Sequence, residues 1–237
     1  MYDLKIVYPD GSIGAVEVTT AADGERVGLW REVRKRALIR QEPDLIGGWL
    51  VRLLSSARAR ELDRQLTGLL RELECDGRTA IRGVKGSTDP LEALAASLGV
   101  IEAVQSATDR KGSIYVMPPE GTLEQMGGYA PPTGDPLAMW LGDWTNDPSR
   151  SDNVHKLQCA DATERHLFIL VPGFTAAPFA VIDLLFSPGA PVPTIPPPLP
   201  AGVTHVWVMS TWDSGDGFRW SPDTGWTRFT KLAPPSP

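Results

Sequence analysis

The stretch Tyr2-Asp3-Leu4-Lys5-Ile6-Val7-Tyr8, then Pro9-Asp10-Gly11-Ser12, then Ile13-Gly14-Ala15-Val16-Glu17-Val18-Thr19 decides how the chain is read. Two alternating runs flank a Pro-Asp-Gly turn signal, which predicts a β-hairpin. Leu4, Ile6 and Tyr8 share a parity with Val16 and Val18 and are expected to face a core. Asp3, Lys5, Glu17 and Thr19 share the other parity. A three-residue loop, Asp10 to Ser12, sets Lys5 opposite Glu17 and Asp3 opposite Thr19. The Asp3 and Glu17 carboxylates then lie on a diagonal, roughly 7–8 Å apart at the backbone. Two carboxylates so placed can share one divalent cation through oxygen ligands. A two-residue loop shifts the register by one and sends them to opposite faces.

At these residues the chain resembles the restriction-endonuclease-like superfamily, the PD-(D/E)XK nucleases, in which a hairpin carries an Asp early on one strand and a (D/E)-x-K triplet late on the next. Asp3 matches the Asp, and Glu17-Val18-Thr19 matches the triplet, with Thr19 where the superfamily has lysine. The resemblance implies an α/β fold with a mixed β-sheet flanked by helices. It further implies Mg²⁺ or Mn²⁺ held by Asp3 and Glu17, and phosphodiester hydrolysis in which Lys5 or Thr19 positions the attacking water. Lys5, opposite Glu17 in the assumed register, is the candidate for a displaced lysine. Because Thr carries no charge to stabilise the pentavalent phosphate, a second expectation is a catalytically inactive nuclease-fold protein that binds a protein partner. The alternative for the hairpin is an amphipathic pair whose solvated face carries Asp3, Lys5 and Glu17 as cross-strand charges. Only Met1 and Tyr2 precede the Asp strand, where the superfamily has a helix and a strand. Those elements are expected to be missing, relocated or upstream.

The 237 residues suffice for one large domain, or for one domain and a small module. A net charge of −6 argues against a general nucleic-acid coat, so nucleic-acid binding would require clustered basic groups. Arg31, Arg34, Lys35, Arg40, Arg58 and Arg60 form the most basic region and read as solvated helix faces pairing with Glu32, Glu61 and Asp63. Cys75 and Cys159 are isolated and suggest neither zinc site nor disulfide framework. No charged and then apolar leader opens the chain, and Pro172-Gly173, Pro178 and Asp183 interrupt the apolar run from His166 to Phe186. A cytoplasmic protein without a membrane span is expected.

Beyond the hairpin, helices are predicted from about Gly24 to Leu38, from Ser55 or Ser56 to Gly77, after Asp89-Pro90, after Asp135-Pro136, from about Ser151 to Ala160, and from Pro178 to Phe186. Strands are predicted at Trp49 to Leu54, Ile101 to Gln105, Ser113 to Met117 and His166 to Val171, with loops at Ser106 to Gly112 and Glu120 to Pro132. His155 and His166, without a defined partner, read as packing or surface residues. The expected organisation is an α/β nuclease-like domain over 1–186, a proline-rich connector over 187–202, and a Trp-rich β meander over 203–237 packed on the main domain. An exposed aromatic platform for a base, sugar or peptide is the other reading of that tail.

Overall fold

In the computed structural model, which describes residues 1–106, 111–117 and 130–231, the chain divides into two units. One comprises residues 1–22 with 123–237, the other residues 23–122. The hairpin forms as β1 (Leu4–Val7) and β2 (Ile13–Thr20), but Val7 pairs with Ile13 and Lys5 with Ala15. The register therefore differs by two residues from the expected one. The cause is the loop: Asp10 accepts from the Ser12 N–H and hydroxyl, the Tyr8 N–H donates to the Ser12 carbonyl, and Gly11 takes a left-handed φ of 85°. Turn chemistry thus consumes the residues from Tyr8 to Ser12 before the ladder starts. A shift of two keeps every side chain on its face, so continuing the ladder by one residue sets Asp3 opposite Glu17.

Residues 23–122 place α1 (Gly24–Lys35), α2 (Ala59–Cys75) and α3 (Pro90–Ser97) with the sheet β3-β7-β4-β6-β5. Its strands are β3 (Arg40–Gln41), β4 (Gly48–Leu53), β5 (Ala80–Arg82), β6 (Val100–Ser106) and β7 (Ser113–Val116). Leu62, Leu66, Leu69, Leu70 and Leu73 recur at helical spacing along α2, and all are buried with Trp49, Val51 and Leu53 of β4. Burying each such leucine stabilises the unit by about 2–3 kcal/mol before entropy is counted. Gly77 ends the helix at φ 68°. Asp89 caps α3 through the Leu91 N–H, as its Asp-Pro pair predicts. β4 lies between β6 and β7 in the sheet, although those two follow each other in sequence. Of the expected loops, 107–110 and 120–129 fall outside the described residues.

The chain returns to the first unit with α4 (Asp135–Asn146), α5 (Ser151–Gln158), β8 (Glu164–Val171), α6 (Phe179–Phe186), β9 (His205–Ser210), β10 (Gly217–Ser221) and β11 (Gly225–Phe229). Asp135 does not cap α4. Its carboxylate instead accepts from the Thr194 N–H and hydroxyl, tying down the proline-rich stretch. The sheet runs β1-β2-β8-β9-β10-β11, with β2, β8 and β9 parallel. The Trp-rich strands β9, β10 and β11 form the expected antiparallel meander, and it continues the sheet through the parallel β8–β9 ladder. Both units are α/β, with mixed sheets flanked by six helices among the described residues. None of these helices is long and apolar enough to cross a membrane.

The parity of the hairpin is the reverse of the expected one. Ala15 joins Leu167, Ile169, Val171, Val206, Val208 and Phe218 in the core built with α4, α5 and α6. Glu17 and Thr19 share that helix-covered side, whereas Leu4 and Val18 are exposed. On β2 the core side is small or polar because apolar bulk comes from β8 and β9, so alternation within the hairpin alone points the wrong way.

Candidate metal centre

The sheet face opposite those helices carries a cluster that no single motif announces. β8 opens on Glu164 and β9 on His205, and their parallel register sets His166 directly beside His205. The two imidazole centroids are 4.4 Å apart. Glu164, two residues before His166, shares its face. On the other flank, β2 pairs Gly14 with Glu164. A Cβ at Gly14 would stand 3.2 Å from both His166 Nε2 and the Tyr8 hydroxyl. Glycine there lets Tyr8, at the edge of the hairpin loop, donate its hydroxyl proton to Glu164 Oε2.

Hydrogen-bond polarity fixes the proton of His166. The Trp207 indole N–H donates to His166 Nδ1 at 3.2 Å. An indole N–H can only donate, so Nδ1 is the unprotonated nitrogen of that ring. His166 Nε2 then carries the proton and donates to Glu164 Oε2 at 3.0 Å. His205 can take the opposite arrangement. Its Nδ1 is 2.8 Å from Thr204 Oγ1, a hydroxyl that also reaches the Arg165 carbonyl at 3.3 Å. With the hydroxyl proton on that carbonyl, His205 Nδ1–H donates to Thr204, and the Nε2 lone pair faces Glu164 Oε2 at 3.7 Å.

Burial pulls the His166 imidazolium down to about 4, with His205 adding to the effect. Burial likewise lowers His205. The Tyr8 hydrogen bond leads in holding the Glu164 carboxyl below its usual range, while burial and the same bond push Tyr8 up to about 12. At neutral pH the cluster is therefore one carboxylate, two neutral imidazoles and one phenol. Glu164, His166 and His205 can each offer a ligand atom, all within 4.8 Å of one another, so this group could hold a metal ion. Two imidazoles and one carboxylate suit a transition ion such as Zn²⁺, Fe²⁺ or Mn²⁺ better than Mg²⁺, which prefers oxygen ligands and water.

The four hairpin residues that the resemblance implies, Asp3, Lys5, Glu17 and Thr19, lie elsewhere. Asp3 is exposed, and its carboxylate accepts the Val18 N–H at 2.8 Å. Lys5 is exposed opposite Ala15, so the expected Lys5–Glu17 pairing is not formed. Glu17 is 2% exposed, and its Oε1 accepts from Lys156 Nζ of α5 at 2.8 Å. The Glu17 and Asp152 carboxylates together hold the Lys156 ammonium well above its ordinary range. Thr19 accepts from the Asn153 side-chain amide at 3.1 Å. Lys156 thus supplies a cation beside Glu17 from a helix 139 residues downstream.

The sequence gives His166 no defined partner and does not mark Glu164, His205 or Tyr8 as site residues. The usable signal was small: Glu164-x-His166 has strand parity, and His205 opens the next apolar run. His155, expected to be a packing or surface residue, is exposed on α5, where Cys159 Sγ lies 3.6 Å away. No family profile, curated protein or solved structure matches this chain.

Proposed function

We propose that the protein binds a divalent transition-metal ion on the sheet face of its first unit, with Glu164 and His205 as primary ligands and His166 as the third. The observation that carries this reading is the convergence of three ligand atoms within 4.8 Å on two register-locked strands. Of the two ions expected from sequence, Mn²⁺ suits this donor set and Mg²⁺ does not. Calorimetric titration of Zn²⁺, Mn²⁺ and Mg²⁺ tests it. One site per chain for Zn²⁺ or Mn²⁺, lost in His205→Ala, is the expected result. No heat with any ion in the folded wild type would sink the reading.

A second reading keeps phosphodiester hydrolysis at the hairpin, with Asp3 and Glu17 holding Mg²⁺ and Lys156 supplying the charge that Thr19 lacks. It is favoured by one observation: Glu17 Oε2 is buried without a hydrogen-bond partner, while Oε1 is held by Lys156. Buried carboxylate oxygens are seldom left so. Mg²⁺ binding and DNA cleavage, both lost in Glu17→Gln and retained in His205→Ala, would support it. Absence of both in the wild type would leave the inactive, partner-binding form of the fold as what survives of this reading.

A further inference from the structure

Resting on the metal-binding reading, we infer that Trp207 withholds His166 from the ion, so that Glu164 and His205 bind it first and His166 joins only when the indole lets go. A histidine that ligates through Nε2 normally carries its remaining proton on Nδ1 and donates it to a carboxylate, carbonyl or water. His205 can meet an equivalent condition, because its Nδ1 lies 2.8 Å from the Thr204 hydroxyl, which can accept that proton. His166 has the reverse arrangement, because the Trp207 N–H is aimed at Nδ1. Moving the His166 proton from Nε2 to Nδ1 would set two N–H groups against each other. The hydrogen bond would be lost, and both donors would stay without acceptors in a half-buried place.

The indole is not at liberty to turn away. Trp207 sits opposite Arg219 in the β9–β10 ladder, and the guanidinium carbon lies 4.8 Å from its ring centroid. Phe229 of β11 packs edge-on, at 5.5 Å between centroids. Arg219 on one strand and Phe229 on the next therefore hold the donor on its acceptor, and His166 is committed to Glu164 in the resting fold. Ion affinity is set by the last three strands of the chain as much as by the ligands.

The test is Mn²⁺ or Zn²⁺ titration of wild type, Trp207→Phe and Trp207→Phe with His166→Ala. Phenylalanine keeps the aromatic contacts and removes the N–H. The expected result is about tenfold tighter binding in Trp207→Phe, a gain abolished by adding His166→Ala. Unchanged or weaker binding in a folded Trp207→Phe, with the wild type still binding, overturns the inference and leaves the metal site standing. No binding in either folded protein instead removes the metal reading itself. Should Trp207→Phe fail to fold, long-range ¹H–¹⁵N imidazole spectra of the metal-free wild type decide the matter. His166 is expected as the Nε2–H tautomer, and an Nδ1–H tautomer overturns the inference.

Discussion

Glu74 in one unit and Glu164 in the other are both carboxylates on which several donors converge, and the donors differ in kind. Glu74 of α2 accepts from the Ile46 and Gly47 N–H groups, the Trp49 indole and the Gln105 amide, at 2.8 to 3.1 Å. Burial raises its carboxyl, but these bonds outweigh that and hold it below its usual range. All four donors carry protons that do not leave near neutral pH, so the charge is fixed and its work is to pin the turn before β4. Glu164 instead faces a phenol and two imidazoles. Those protons can be shared, shifted or displaced by a cation. A carboxylate surrounded by amides is a fastener, whereas one surrounded by histidines and tyrosine is a place where chemistry can occur.

The largest expected effect comes from breaking the fastener. Glu74→Ala leaves four donors without acceptors, one of them on the buried Trp49, and should cost about 3 kcal/mol in urea unfolding. A cost below about 1 kcal/mol would mean that water replaces the carboxylate and the contrast is overdrawn.

Acid should separate the units next. The folded His166 value of about 4 lies below its ordinary 6.5, so the unfolded chain binds more protons between those values. Its contribution is complete above pH 6.5 and is lost as pH falls toward 4, on the order of 2 kcal/mol. His205, lowered in the same direction, adds to the loss. Glu74 has the depressed-carboxylate sign, so its contribution is complete above pH 4.5 and falls only below it. Hydrogen exchange at pH 7 and pH 5, corrected for intrinsic rate, should therefore show lower protection in β8 and unchanged protection in β4. Equal losses in both strands would refute the assignment.

Gly14→Ala sharpens the comparison at lower cost. The new methyl sits 3.2 Å from His166 Nε2 and 3.3 Å from Ile6 Cβ, so the Tyr8 and His166 side chains must give way. About 1 kcal/mol of destabilisation is expected, with a shifted Tyr8 ring resonance as the specific sign of the cause. The smallest effect belongs to Arg82→Ala. Its partner Glu102 also has Arg52, and the Arg82 side chain is 80% exposed. A change within about 0.5 kcal/mol is expected, and a larger one would show that charges on this sheet face do more than solvate it.

Much of the fold was legible because single elements carry their own signals. The leucine stripe of α2, the Asp89-Pro90 cap of α3 and the apolar run of β8 each state a local preference that packing leaves in place. The site was not legible, because its geometry is made by pairings the sequence does not encode locally. His166 and His205 become neighbours only through a parallel ladder, and Gly14 matters only once that ladder lies beside β2. Hairpin parity failed for the same reason. A strand reports which residues alternate, while the neighbouring strands decide which side is inside. Asp3 and Glu17 stand out by their spacing, but the partner of Glu17 is Lys156, which lies 139 residues further along the chain.

Residues 23–122 interrupt the sequence of the first unit, and that order bears on how the molecule is made. Tyr8 and Glu164 are 156 residues apart in sequence, and the whole of residues 23–122 is synthesised between β2 and the strand it pairs with. At roughly 5–20 residues per second, a ribosome needs on the order of ten seconds to travel from β2 to β8. For that interval the hairpin has no partner and exposes an unpaired edge, while residues 23–122 already hold a core of their own. The inserted unit should therefore be native on the nascent chain before the first unit begins to close.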